Sequence, residues 1–152
     1  MKQLPYTEGT WFAVPDRSGT FAVGVVARTT TKGKVILTYL FNRRSSSLPT
    51  IEQCVGLRSE EAALVLRIGD LGLVQGEWPI IGQGRDWNGA DWPMPKFIRR
   101  DVLSNRAWLV TYADEDPNEV VAEEPWNTAD TTIGRDSLYG AGAVEIALSH
   151  LP

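Results

Sequence analysis

Three apolar segments near the start of the chain, separated by short turns, constrain its fold more than any other feature. Residues 11–14, 21–29 and 35–41 are rich in β-branched and aromatic residues and show no helical spacing, which is typical of β-strands. Residues 16–19 and 32–34 between them contain glycine and polar residues that favour turns. We therefore predict an antiparallel meander, in which the first two segments form a hairpin and the third is a central strand buried on both faces.

The rest of the chain continues this pattern of short strands and ends in a helix. Residues 60–68 lack a clear period and are interpreted as a strand, and Pro79 indicates an edge position or a bulge for residues 76–84. At 152 residues the chain is long enough for a core of its own. We predict one mostly β (α+β) domain over residues 1–152, either a single antiparallel β-sheet or a small barrel-like fold with a short C-terminal helix. The other predicted elements are a polar connection at 43–49, a helical turn at 50–54, an exposed loop at 86–95, strands at 97–99 and 107–112, and the helix at 141–151.

Charge is distributed unevenly along the chain. Residues 1–106 carry 14 Lys and Arg against 10 Asp and Glu, whereas residues 107–152 carry 1 against 9. Six of these carboxylates fall between Asp114 and Glu124 with no basic residue among them. The structural interpretation is a solvated loop with a short strand at 119–122. The functional interpretation is a surface for a basic partner, because opposite charge accelerates association.

Residues that could support catalysis or metal binding are sparse. The one histidine, His150, lies two residues from the C-terminus, and the one cysteine, Cys54, has no basic neighbour that would activate its thiol. A zinc cluster built from Cys and His ligands is therefore excluded. Paired carboxylates such as Asp86 and Asp91 remain the one catalytic hypothesis. The sequence contains no motif typical of a phosphate-binding loop. We predict a protein that is not an enzyme and has no cofactor or metal.

Tryptophan is unusually common, with six in the chain. Trp78, Trp87 and Trp92 lie within fifteen residues, in a segment that also contains three prolines. Trp78 occupies a strand-like run, where burial is expected. Trp87 and Trp92 fit equally a lid packed on the core and a contact for a partner, because tryptophan is a frequent binding hot spot.

Four short motifs resemble the immunity protein 26 family of bacterial polymorphic toxin systems. They are Gly-Thr-Trp-Phe-Ala-Val-Pro at 9–15, Phe-Ala-Val-Gly-Val-Val at 21–26, Gly-Glu-Trp-Pro-Ile-Ile-Gly at 76–82 and Pro-Lys-Phe at 95–97. The resemblance covers residues 8–113 and implies a mostly β cytoplasmic protein that binds and neutralises a cognate toxin. It carries over no catalytic residue. It assigns scaffold roles to Gly9, Gly24, Gly76, Trp78, Pro79 and Gly82. Tight backbone approach or positive φ is expected at Gly9, Gly24 and Gly82, and an interior position is expected for Trp78.

Two functional hypotheses follow from these observations. In the first, the chain occludes the active site of a toxin domain, for which a nuclease with a basic cleft is one candidate. Its proposed contacts are Asp114, Glu115, Asp116, Glu119, Glu123, Glu124, Trp87 and Trp92. In the second, a β-barrel binds a small ligand or a single-stranded nucleic acid on the tryptophan loop, although the acidic C-terminal third disfavours nucleic acid. Neither a membrane-spanning run nor a secretory signal is visible, so we expect a cytoplasmic location.

Overall fold

The computed structural model describes residues 3–16, 18–31 and 33–152. Arg17 and Lys32, which belong to the two predicted turns, lie outside the described residues. The strands are β1 Thr10–Pro15, β2 Phe21–Thr29, β3 Val35–Ser45, β4 Leu64–Gly69, β5 Ile80–Gln83, β6 Phe97–Asp101, β7 Arg106–Ala113, β8 Asp116–Trp126 and β9 Leu138–Tyr139. The helices are α1 Ile51–Cys54, α2 Leu71–Val74 and α3 Ala141–Ser149, with 3-10 turns at Ser59–Glu61 and Gly89–Asp91.

The strands form two open sheets. The larger sheet has the order β5-β1-β2-β3-β4-β9, and the smaller has the order β6-β7-β8. Neighbouring strands are antiparallel except for β4 and β9, which are parallel. The predicted hairpin, meander, mostly β class and short C-terminal helix are confirmed. The strands are divided between two sheets, however, and do not form a single one.

Both faces of the larger sheet are covered, which explains why its central strands are apolar throughout. Alternate residues of β1, β2 and β3 point to opposite faces. One set, which includes Phe12 and Leu40, packs with Trp78 and with Val144 of α3. The other set packs against the tryptophan loop and the smaller sheet. The smaller sheet therefore lies over one face of the larger sheet, with Val110 of β7 in the shared core.

Glycine is required at some of the predicted scaffold positions and not at others. A Cβ at Gly24 would lie 2.6 Å from the ring of Phe12 and 2.7 Å from the side chain of Leu40. The absence of a side chain at Gly24 therefore leaves the space that these two side chains occupy over β2. Gly9 has a φ of +89°, which favours glycine. The expectation of tight approach or positive φ is wrong for Gly82, because its φ is not in the positive range and the nearest atom to an added Cβ is 3.5 Å away. Gly76 has a φ of +76° and lies in the turn before Trp78 and Pro79.

Several predicted boundaries differ from the structure. The polar residues 43–45 continue β3 and are not a connection. Residues 60–68 begin in a 3-10 turn and become strand only from Leu64. The predicted edge position near Pro79 is confirmed, because β5 is an outer strand of the larger sheet and its register with β1 is broken by a bulge.

The largest difference concerns the acidic segment. It was predicted to be a loop with a short strand at 119–122, but β8 runs for eleven residues. Charged side chains do not prevent strand formation here, because β8 pairs with β7 through its backbone while its side chains face solvent. Within the described ranges, no helix has both the length and the apolar character needed to cross a bilayer.

Candidate functional site

Residues 114–116, the turn that follows β7 together with the first residue of β8, are called the acidic turn. A buried arginine of the larger sheet holds this turn. Arg28, at the end of β2, is 6% exposed. Its Nε donates to the backbone carbonyl of Asp114 at 2.7 Å, and one terminal nitrogen donates to the Asp114 carboxylate at 3.2 Å. The same nitrogen donates to the carbonyl of Gly89 at 3.2 Å. Arg28 therefore joins the acidic turn and the tryptophan loop to one strand.

A second buried arginine fixes the start of β8. The Nε of Arg67 in β4 donates to the carbonyl of Pro117 at 2.7 Å, and its guanidinium lies 4.0 Å from the ring centroid of Tyr112. Arg67 and the Tyr112 hydroxyl both donate to one oxygen of Asp136, at 3.3 and 2.6 Å. Burial, followed by this hydrogen bond, raises the pKa of Tyr112 to about 12. The tyrosine thus remains a protonated donor at neutral pH.

The six carboxylates proposed as contacts divide into two groups. Asp114 is engaged by Arg28, Asp116 accepts from the backbone N–H of Asn118 at 2.9 Å, and Glu123 forms an ion pair with Arg99. The other three have no hydrogen-bonding or ionic partner among the described residues and are exposed to solvent. These free carboxylates are Glu115, Glu119 and Glu124.

Residues 118–126 of β8 are exposed along their whole length. The strand pairs with β7 on one side, and its other side is the outer edge of the smaller sheet. Val120 and Val121 are 46% and 57% exposed, and Trp126 at the end of the strand is 39% exposed. The surface therefore combines free carboxylates with apolar side chains on a strand that is fixed at its start.

The tryptophan loop, residues 86–95, has exposed residues such as Asp86 and Asp91, as predicted, but neither of its tryptophans is exposed. Trp92 is 7% exposed and belongs to the core. Its ring is edge-on to those of Trp11 and Tyr39, with distances of 5.9 and 5.1 Å between ring centroids. Trp87 stacks on Trp92 at 5.4 Å, and the backbone of Gly9 lies against the Trp87 ring. The two rings stack on each other, so they do not form an open platform for successive bases.

A cavity of about 440 Å³ adjoins this loop. Its walls include the rings of Trp11 and Trp92. Asp86 and Asp91 also line the cavity, which is the juxtaposition that the paired-carboxylate hypothesis requires. Both acids are exposed to solvent.

The remaining chemical candidates are separated from one another. Cys54 is fully buried at the end of α1, and burial raises the pKa of its thiol to about 11, so the thiol is unreactive at neutral pH. His150 is exposed just after α3. In the part of the chain that the structure describes, no three His, Cys, Asp or Glu side chains are grouped to hold a metal ion.

Sequence reasoning missed two features of this region. The first is the pair of buried arginines, Arg28 and Arg67. The available signal was a lone basic residue within, or at the end of, an otherwise apolar strand. The second is the β6–β7 hairpin tip, where Val102 and Leu103 are 92% and 98% exposed. Asp101 fixes this tip by accepting from the Leu103 N–H at 3.0 Å. Two aliphatic residues between turn-forming residues were the signal there.

Comparison with known proteins adds a family assignment for most of this fold. The family model described as Immunity protein 26 matches residues 7–109. The matched region extends from before β1 into β7, so the acidic turn, β8 and α3 lie beyond it. No curated protein and no solved structure matches the chain.

Proposed function

The chain belongs to the immunity protein 26 family, and from this we propose that it binds a cognate toxin domain and occludes its active site. The proposed contact surface is the acidic turn together with β8. The observation that carries this proposal is the position of three free carboxylates on backbone that Arg28 and Arg67 hold from the larger sheet. Pre-organised backbone reduces the entropy lost on binding.

The charge of this surface favours a toxin with a basic cleft. A toxin that cleaves nucleic acid needs basic residues to bind phosphates. Glu115, Glu119 and Glu124 would occupy such a cleft in place of phosphate groups, and long-range attraction would accelerate the encounter. A nuclease acts where nucleic acid is present, so we place the chain in the cytoplasm with its toxin.

Occlusion requires no reaction by the immunity protein itself. Residues 118–126 of β8 are exposed, and the carboxylates of the acidic turn and β8 act as fixed charges. Trp92 contributes to this function only indirectly, because its ring is in the core. Trp87 is half-buried, and its exposed edge would be available to a partner next to the acidic turn, since Arg28 contacts both loops.

The test is co-expression with the toxin domain encoded by the adjacent reading frame. We expect the chain to restore growth of cells that produce this toxin domain and to form a stable complex with its catalytically inactive form. A toxin domain from an unrelated system is the control and should remain lethal. Lack of both rescue and complex formation would refute the proposal.

A further inference from the structure

We propose that the outer edge of β8 is a pairing site for an extended, basic strand of the toxin partner, which would add to the smaller sheet as a fourth strand. This inference rests on the proposed function. It specifies how the partner is bound: by backbone hydrogen bonds along a strand edge, with specificity from side chains at alternate positions.

The β8 edge, defined as the outer side of residues 118–126, is open. The smaller sheet ends at β8. The N–H of Asn118 donates to the Asp116 carboxylate, and the other backbone groups of these nine residues have no described backbone partner outside the pairing with β7. All nine residues are exposed. An extended strand edge presents unpaired N–H and C=O groups, which natural proteins usually cover or interrupt.

The other outer strands are shorter or covered. At β6, the N–H of Ile98 donates to the carbonyl of Gly134 at 2.8 Å, and its carbonyl accepts from Asp136 at 2.8 Å, so the following chain covers that edge. In the larger sheet, the outer strands β5 and β9 have four and two residues. Among the described strands, β8 therefore offers the longest open edge.

The charge of β8 selects the occupant. The strand carries Asp116, Glu119, Glu123 and Glu124 and has no lysine or arginine. Pairing with a second copy would bring glutamates of two acidic strands together, and like charges across strands are destabilising. A strand with lysine or arginine would instead meet Glu119 and Glu124, which are free. The edge is thus protected against self-association by the same charges that favour a basic partner.

Exposed apolar side chains provide further contact area on the same strand. Val120 and Val121 adjoin a bulge, because Tyr112 pairs with Val120 while Thr111 pairs with Ala122. Trp126 stands at the other end of the edge, opposite Ala107. A partner strand that spans the edge would bury these side chains, which are half exposed in the free chain.

Hydrogen exchange of the backbone amides tests this proposal directly. The full chain is measured alone and in complex with the inactive toxin domain from the adjacent reading frame. We expect the amides of residues 119–126 that are directed away from β7 to exchange rapidly in the free chain and at least about tenfold more slowly in the complex. A stable complex without added protection at these amides would overturn the inference and leave the proposed function intact. A failure to form any complex would refute the proposed function.

A charge-reversed variant provides a second measurement. Glu119→Lys with Glu124→Lys should weaken binding to the same toxin domain by more than about tenfold. The matched control is Glu52→Lys with Glu77→Lys, because both of these glutamates are exposed and lie on other elements. The control should bind within about twofold of the native chain. Equal binding by both variants would overturn the inference, as would dimers of the chain alone that protect the same amides.

Discussion

Arg28 donates hydrogen bonds to both the backbone carbonyl and the carboxylate of Asp114, at 2.7 and 3.2 Å. The two side chains differ greatly in exposure, at 7% for Arg28 and 75% for Asp114. The carboxylate half of the contact is therefore accessible to solvent, whereas the guanidinium is held inside the protein. The main effect of this contact is to position backbone, and the Asp114 carboxylate is an accessory to it.

Replacing Arg28 should therefore destabilise the fold far more than replacing Asp114. Arg28→Met leaves the carbonyls of Asp114, Gly89 and Ala27 without their donor, and we expect a loss of roughly 3 kcal/mol in the free energy of unfolding. Asp114→Asn keeps the backbone contact and should cost less than about 1 kcal/mol. Urea denaturation of both variants measures the difference, and equal losses would mean that the ion pair dominates.

The free carboxylates should account for most of the electrostatic contribution to toxin binding. Converting Asp114, Glu115, Asp116 and Glu119 to amides should reduce affinity by more than tenfold, about 1.4 kcal/mol, with the loss mainly in the association rate at low salt. A second comparison uses two further variants. Replacing the free carboxylates Glu115, Glu119 and Glu124 with glutamine should weaken binding more than replacing the engaged Asp114 and Asp116 with asparagine. Surface plasmon resonance with the inactive toxin domain provides the rates. A loss below tenfold for the first set would place the interface elsewhere.

Two glycines of the scaffold motifs form a matched pair. Gly24→Ala forces a methyl group to within 2.6 Å of Phe12 and 2.7 Å of Leu40, and overpacking of this kind costs about 1–3 kcal/mol. Gly82→Ala meets its nearest neighbour, Ile51, at 3.5 Å and should change stability by less than about 0.5 kcal/mol. Thermal unfolding followed by circular dichroism distinguishes them. A large effect at Gly82 would contradict the packing described for β5.

The stacked tryptophans should differ in their contribution to stability. Trp92→Ala removes a ring that contacts Trp11, Tyr39 and Trp87 in the core, so we expect a loss of about 3–5 kcal/mol. Trp87→Ala removes a half-buried ring and should cost roughly half as much. Chemical denaturation compares the two. In the native chain, tryptophan fluorescence should not respond to single-stranded oligonucleotides, since the rings present no open stacking platform; strong, salt-dependent quenching would favour the alternative hypothesis.

Cys54 should make stability fall in alkaline solution. Burial raises the pKa of the folded thiol from 9.0 to about 11, so between these values the unfolded chain loses a proton that the folded chain retains. Stability is therefore unaffected below about pH 8 and decreases as pH rises through this interval, by about 3 kcal/mol at most. Cys54→Ala is the comparison, because it removes this slope and leaves the tyrosine contributions in place. Identical pH profiles would mean that solvent reaches the thiol.

Features with a local cause were predictable from the sequence. The apolar strands β1, β2 and β3 and the stripe on α3 depend on spacing between near neighbours, and the motifs around Gly9, Gly24 and Trp78 were sufficient to suggest the family. The edge position near Pro79 was likewise predictable, because proline lacks the N–H that an inner strand needs.

The candidate surface depended on contacts between distant parts of the chain. The acidic segment has the composition of a loop, and it becomes an eleven-residue strand because seven of its residues pair with β7. Trp87 and Trp92 are the same residue type and are only five positions apart, yet the ring of Trp92 is in the core and the ring of Trp87 is at its margin.

The amino-acid sequence by itself determined the apolar strands β1, β2 and β3, the uneven distribution of charge and the family, because hydrophobic period and motif are properties of neighbouring residues. Only the tertiary structure decided that Arg28 and Arg67 hold the acidic turn and that β8 forms an open edge. Arg28 and Asp114 are 86 positions apart, and such a contact arises from the packing of one sheet on another, which no local pattern encodes.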